Sequence, residues 1–402
     1  MSAPHKRFFW TLIACFGATL LPVFILNLIL LSDTLGSSRK VLLASQWQQR
    51  THGITYAPTL SDTHLFKTLR LNDRLPEIDT VVFGSSTALG IARQAFPDTL
   101  HPYNYAQTGH ALSAVIGEAE YIQQHSANVK WLLIPLDWSL GFIYESVTPP
   151  GADLSAATAL REAQAAAKPV PLADTMRDAL SYPRISSLFE ILNNIRRADD
   201  RMAAFRGYFL QDGSNDYRCA DGTPGKDFDT IHRGTCTGFR YDGSATFANS
   251  ARVGNAHPLI LAATSSGSQY RRNLLSADGL PDPLLLQRLA ALGRQARRNG
   301  GGVILFMPPL LPGMEAEFLR HPQLTAALQN TRQTLNRWSR ENSLTILDAG
   351  QSERFGCRAD EFLDPHHAVS TCYDKIFQPF WRDALRPDGT VTLPPAGLIL
   401  KP

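Results

Sequence analysis

No stretch of this chain carries a dense stripe of lysine and arginine, and the formal charge over its 402 residues is only +3. The arginine pairs that do occur, Arg196-Arg197, Arg271-Arg272 and Arg297-Arg298, are scattered and read as solvated faces. The electrostatic footprint of a nucleic-acid binder is missing, so no nucleic-acid partner is expected. Cysteine is scarce too, five in all, with no Cys-x-x-Cys and no clustered histidines beside them. That argues against a structural zinc site built on thiolates. No internal repeat is visible, and the length suits one large domain with insertions or two modest ones.

One long uncharged run stands out against this background. Phe8 to Leu31 has no charged residue and is polar only at Thr11, Thr19 and Asn27. At about 1.5 Å per residue such a stretch reaches roughly 36 Å, enough for a tilted membrane crossing. Pro22 is tolerable inside a membrane helix. Lys6 and Arg7 precede the run, which favours a cytoplasmic N-terminus with the rest of the chain outside, although Arg39 and Lys40 follow closely. A cleaved signal peptide is the alternative, but the apolar run is over-long and no clear small-x-small site follows. The expectation is a single-pass anchor in the inner (cytoplasmic) membrane and a periplasmic domain.

Cysteine placement fits that orientation. Cys15 lies within the apolar run and leaves an even number, Cys219, Cys236, Cys357 and Cys372. Their spacings pair naturally as 219–236 and 357–372, although four cysteines permit three connectivities. Disulfides suit an oxidising compartment.

Read in order, the chain divides into a cytoplasmic tail 1–7, the anchor 8–31, a stalk or linker 32–75, a first domain part 76–140, an insertion 141–282, a second domain part 283–386 and a peripheral Pro-rich tail 387–402. The stalk contains a helix over 38–49. The first part offers strands at 79–83, 103–106 and 131–136, with a helix after the Ser-Ser-Thr turn and another over 113–124. The insertion begins helical and Ala-rich, then becomes loop-rich over 211–257. It reads as a substrate-facing lid or as surface decoration. The second part alternates helix 283–298, strand 303–307, helix 324–341, strand 344–348 and helix 373–385. Strands alternating with helices predict an α/β fold with a parallel sheet. Ligands in such sheets sit beyond the carboxyl ends of the strands. Ser86, Gly109 and Asp137 each fall just past such an end.

Two stretches carry the chemistry. Val81-Val82-Phe83-Gly84-Ser85-Ser86-Thr87 reads as a strand breaking at glycine into a hydroxyl-rich turn, and Asp364-Pro365-His366-His367 places an aspartate three residues before a histidine. Hydroxyl, imidazole and carboxylate are the parts of a nucleophile–base–orienter triad. Alternatives stay open at this point. Ser86 could simply cap the next helix, Ser85 could be the reactive hydroxyl, His366 could replace His367, or Asp364 and the two histidines could hold a metal. His101 and His110 read as surface or loop residues.

These blocks resemble the SGNH (GDSL-like) hydrolase superfamily, in particular its membrane-anchored cell-envelope members. Gly84-Ser85-Ser86 is similar to the family's first block and makes Ser86 the catalytic nucleophile. Asn104-Tyr105-Ala106-Gln107-Thr108-Gly109 is similar to the second, implying that Gly109 and the Ser86 amide form an oxyanion hole. The third block, usually Gly-x-Asn-Asp, is here Pro135-Leu136-Asp137-Trp138, and an ionised aspartate accepts hydrogen bonds where asparagine would donate. Asp364-Pro365-His366-His367 matches the final Asp-x-x-His block, which assigns His367 as base and Asp364 as its orienter.

The layout of anchor, early serine and late Asp-x-x-His is similar to that of the anchored protein that transfers D-alanine to teichoic acids. The resemblance covers about 79–137 and 283–385. It implies a flavodoxin-like three-layer α/β/α sandwich with one N-terminal transmembrane helix and a loop-rich insertion. It also implies an esterase or O-acyltransferase acting on acyl, chiefly acetyl, esters of an envelope glycan, with no cofactor and no metal. A membrane acyltransferase is a candidate partner by analogy. Asp137, Trp138 and Asn104 are candidate substrate contacts. The alternative is a non-catalytic envelope binding or assembly protein that retains the fold.

Overall fold

The structure, a computed structural model, describes residues 3–33, 38–56, 60, 62–137, 177, 179, 181–197, 200–202, 205, 218, 238–247, 252–275 and 282–399. Six short strands form the central sheet: β1 (Thr80–Val82), β2 (Pro102–Asn104), β3 (Trp131–Pro135), β4 (Gly302–Met307), β5 (Thr345–Asp348) and β6 (Gly397–Ile399). Their order is β2-β1-β3-β4-β5-β6, and every neighbouring pair is parallel. β1, β3, β4 and β5 are buried at every position, so they read in sequence as apolar runs without alternation. This is an α/β architecture, compatible with a three-layer sandwich.

Order reverses about β1, because the chain first goes to β2 on one side and then to β3 on the other. At such a switch point the loops leaving the carboxyl ends of the two strands diverge and leave a crevice between them. Ser86 follows β1 and Asp137 follows β3, so both stand at its mouth.

Helix boundaries follow local chemistry. The helix Pro283–Arg298 starts where Asp282 accepts a 2.7 Å hydrogen bond from the Leu284 N–H, with proline in the first turn where no amide is needed. Its exit passes through Gly300 at φ +77. It packs against the helix Leu112–His125, while Pro322–Glu341 lies against β5 and β6.

Three departures from the sequence reading have physical reasons. The helix Thr63–Arg74, placed in a stalk by sequence, belongs to the core through Leu65, Phe66 and Leu71. Lys67 and Arg70 are fully buried on the same helix. The tail is not peripheral along its whole length, because Gly397–Ile399 adds the sixth strand beside Thr345–Leu347. Finally, no long helix follows the Ser-Ser-Thr turn. Two single 3-10 turns, Ser86–Ala88 and Arg93–Ala95, fill that place.

The loop-rich part of the insertion contributes Gly238–Phe239 and Ala245–Thr246, which join Thr55–Tyr56 in a small antiparallel sheet. Two short helices, Ala256–Thr264 and Gln269–Leu275, follow.

The apolar run lies in one helix, Ala3–Asp33, with Pro22 inside. Val23 and Leu26 pack on Leu188 and Ile191 of the helix Tyr182–Arg197, and Asn27 Nδ2 donates to the Ala179 carbonyl at 2.8 Å. Among the described residues no helix is long and apolar enough to cross a membrane. Several side chains of Ala3–Asp33 fall outside the description, so the anchor rests on the sequence.

Candidate active site

β1 delivers the serine turn. After buried Phe83, Gly84 takes φ +134, a region that side-chain-bearing residues rarely adopt. A Cβ there would stand 2.4 Å from Pro135 Cγ on β3, so close approach demands glycine as well. Ser85 caps the following 3-10 turn, its Oγ accepting from the Thr87 N–H at 3.5 Å and lying 2.9 Å from Thr87 Oγ1. Capping is therefore the work of Ser85, and Ser86 is left with its hydroxyl directed elsewhere.

That direction is His367. Its Nε2 lies 2.7 Å from Ser86 Oγ, and its Nδ1 lies 2.5 Å from Asp364 Oδ2. The same carboxylate folds its own loop, with Oδ1 accepting from the backbone N–H groups of His366 at 2.9 Å and His367 at 3.0 Å. Burial opposes the Asp364 charge, but the His367 hydrogen bond and both imidazoles outweigh it and hold the carboxyl at about 2. Asp364 is thus an anion that fixes the His367 tautomer with Nδ1–H toward the carboxylate and Nε2 toward the hydroxyl.

His366 takes partners other than Ser86. Its Nδ1 is 3.2 Å from Asp364 Oδ1 and also meets the Tyr270 hydroxyl. Burial first, then neighbouring His367, push His366 down to about 4 against the pull of Asp364 and Asp137. Burial and the charges of Asp364 and Asp137 push the Tyr270 phenol upward, so it stays a neutral hydroxyl beside a neutral imidazole. Tyr270 comes from the insertion, and sequence reasoning missed it. It sits in Gln-Tyr-Arg-Arg, with no motif and no flanking strand to mark it.

The two halves of the site are tied together from behind. The Tyr373 hydroxyl, on the closing helix Ser370–Ala384, donates to the Thr87 carbonyl. Gly90 runs so close to this segment that a Cβ would meet the Ala368 carbonyl oxygen at 2.5 Å. A disulfide between Cys357 and Cys372 closes the loop that carries Asp364 and His367. Cys219 and Cys236, expected to form a second bridge, lie outside the described residues, as does Trp138.

Gly109 occupies an exposed turn at φ +71, with open space within 4 Å of where a Cβ would stand. Its loop is fastened to the serine turn by the Gln107 N–H, which donates to the Gly84 carbonyl at 2.8 Å. Asp137 is buried at the end of β3 and accepts a long 3.5 Å contact from Ser85 Oγ. Its charge reaches His366, Tyr270 and Tyr373.

Asn104 does not serve as a surface contact for substrate. It is 2 % exposed, and its Nδ2 donates to the carbonyls of Ala88 at 2.8 Å, Leu89 at 3.3 Å and Ile91 at 2.9 Å. Its Oδ1 accepts from the Ala106 N–H at 3.0 Å and from Lys67 Nζ at 3.4 Å. Both side-chain polar atoms are engaged inside the fold, and Nδ2 holds β2 against the chain that follows Ser86, so the residue is a latch beneath the site.

Hydroxyl, imidazole and ionised carboxylate in sequence, each within hydrogen-bond reach of the next, can move a proton from Ser86 to His367 while Asp364 steadies the imidazolium. No family model matches the chain, and no curated protein matches it.

Proposed function

We propose that this chain is a membrane-anchored, periplasm-facing serine enzyme that transfers or hydrolyses acyl esters, acetyl above all, on a cell-envelope glycan. The observation that carries the reading is the 2.7 Å approach of His367 Nε2 to Ser86 Oγ with Asp364 on the far side of the imidazole. Supporting it are the Gly84-Ser85-Ser86 and Asp364-x-x-His367 blocks, which resemble those of SGNH hydrolases, and a strand order whose first five members match the flavodoxin-like pattern. The envelope setting rests on the apolar run 8–31 and the paired cysteines.

In the first half-reaction Ser86 Oγ attacks the acyl carbonyl carbon while His367 Nε2 takes the hydroxyl proton. The carbonyl oxygen becomes an oxyanion, held by the N–H groups of Ser86 and Gly109, each such donor being worth on the order of 3 kcal/mol. The intermediate collapses, the C–O bond to the sugar breaks, and His367 returns the proton to the leaving oxygen. In the second half-reaction an incoming hydroxyl gives its proton to His367 and attacks the acyl-serine. Ser86 leaves with the proton restored. Water as acceptor gives an esterase, and a sugar hydroxyl gives a transferase.

A second reading is favoured by Asp137, an acceptor in the block 135–138 that resembles the one in which the family carries a hydrogen-bond donor. In it the chain is a non-catalytic envelope binding or assembly protein. Labelling of the full chain in detergent with a fluorophosphonate probe separates the two. Labelling of the wild type that is lost in Ser86→Ala and His367→Ala supports the enzyme. A folded wild type that stays unlabelled and also releases no acetate from acetylated envelope glycan supports the binding protein.

A further inference from the structure

A second constellation lies outside the triad, at the Gly109 loop. His64 on Thr63–Arg74, His110 immediately after Gly109, and Glu118 on Leu112–His125 converge from three different segments. His64 Nε2 is 3.2 Å and His110 Nε2 is 2.9 Å from the same oxygen, Glu118 Oε1, and the three candidate donor atoms lie within 4.8 Å of one another. Around a tetrahedral zinc ion with bonds of about 2.0–2.1 Å, neighbouring ligand atoms are roughly 3.4 Å apart. Both imidazole nitrogens already stand near that distance from Glu118 Oε1. Two imidazoles and one carboxylate are also a donor set that zinc and related transition-metal ions favour.

We propose that His64, His110 and Glu118 bind one divalent transition-metal ion, zinc by preference, which clamps the Gly109 loop to the two helices beneath it. This holds whether or not Ser86 is a nucleophile. The Glu118 side chain is 1 % exposed, while His64 and His110 are 29 % and 17 % exposed. The ion therefore sits on a buried anion with an imidazole rim open to solvent, through which it enters and through which water completes the fourth position. The Tyr105 hydroxyl lies 3.3 Å from His64 Nε2 and 2.8 Å from Thr68 Oγ1, so on metal binding it yields the imidazole nitrogen to the ion and keeps Thr68. The triplet Asp364, His366 and His367 also has donor spacing but belongs to the site described above, so it serves as the control.

The test uses the full chain in detergent, stripped with a chelator and reloaded with zinc or cobalt(II). Metal content after desalting, the visible absorption of bound cobalt and the thermal midpoint are read for wild type, His64→Ala, Glu118→Gln and His367→Ala. The expected result is one metal per chain, a tetrahedral cobalt spectrum and a zinc-dependent rise in midpoint. All three persist in His367→Ala. In His64→Ala and Glu118→Gln affinity falls by more than the roughly 10–100-fold that losing an outer partner costs. Wild type that takes up no stoichiometric metal overturns the proposal, and this readout does not depend on any variant folding. Metal retained by both His64→Ala and Glu118→Gln but lost from His367→Ala overturns it as well, placing the ion at the serine site.

Discussion

His367 Nε2 lies 2.7 Å from Ser86 Oγ although 281 positions separate the two residues in sequence. Neither is held by the other. Ser86 is aimed by Gly84, by the Ser85 cap and by the Asn104 latch, whereas His367 is aimed by the Asp364 carboxylate and its Asx-type turn. The contact is thus the meeting of two independently rigid loops, joined behind by Tyr373 and Thr87. Such preorganisation is what proton transfer requires, since small misplacements cost large factors in rate.

The paired histidines are expected to separate sharply in function. His367→Ala removes the base and should lower kcat for ester cleavage by about 10³–10⁴-fold. Asp364→Asn keeps the shape but allows the wrong tautomer, and should cost a comparable factor. His366→Ala should leave covalent serine labelling within about tenfold of wild type, because the partners of His366 are Tyr270 and Asp364 and not Ser86. Steady-state kinetics with a chromogenic acetate ester check this, and equal losses at both histidines would assign the base wrongly.

Acid should destabilise the fold in two stages. His366 is held at about 4 when folded, below its ordinary value near 6.5, so the unfolded chain takes the proton first and stability falls as pH drops through that window. Asp364 is held at about 2, below its ordinary value near 3.9, so its stabilisation is full above that value and is lost as pH falls toward 2. Urea midpoints measured across pH should lose the upper stage in His366→Gln and the lower stage in Asp364→Asn. An unchanged upper stage in His366→Gln would mean that another group titrates there.

The chemistry was more legible in the sequence than its supports. Gly84, Ser86, Asp364 and His367 are visible because each sits at a fixed offset from a buried apolar strand or from its partner residue. The four central strands were equally plain, their burial on both faces giving apolar runs such as 132–134 and 303–307. Tyr270 was hidden, because a residue that reaches the site from an insertion has no register to betray it. Lys67 misled in the other direction. A fully buried lysine whose Nζ donates to the Ala106 carbonyl at 2.6 Å looks solvent-facing in sequence, as does the fully buried Arg70. β6 escaped because three residues behind a run of prolines carry too little pattern.

Gly84→Ala should be among the most damaging small substitutions in the chain. The methyl group would enter the space of Pro135 Cγ, 2.4 Å away, at a φ of +134 that alanine adopts only with strain. Steric conflict and strain together should cost about 2–4 kcal/mol in stability. Because the turn must shift to relieve the conflict, Ser86 labelling should fall further than the loss of folded protein explains. Gly109→Ala is the comparison. Its φ is also positive but nothing lies within 4 Å, so about 1 kcal/mol and a smaller kinetic effect are expected.

The Cys357–Cys372 bridge spans 15 residues, and that short loop contains both Asp364 and His367. Closing a loop of this size restricts the unfolded chain by an amount worth about 3 kcal/mol. Cys357→Ala/Cys372→Ala should therefore lower the urea-extrapolated stability by about that amount. A purely entropic staple would leave the folded site untouched, with kcat unchanged at temperatures where the variant is fully folded. The geometry favours a second effect. Cys372 lies on the same helix as Tyr373, whose hydroxyl holds the Thr87 carbonyl behind the serine turn, and Cys357 begins the segment leading to Asp364. Freed of the bridge, the loop and the helix can move apart, which lengthens the His367–Ser86 contact. Serine labelling should slow by more than tenfold in the variant at low temperature, and mild reduction of wild type should reproduce it. Full labelling in a destabilised variant would confine the disulfide to a structural role.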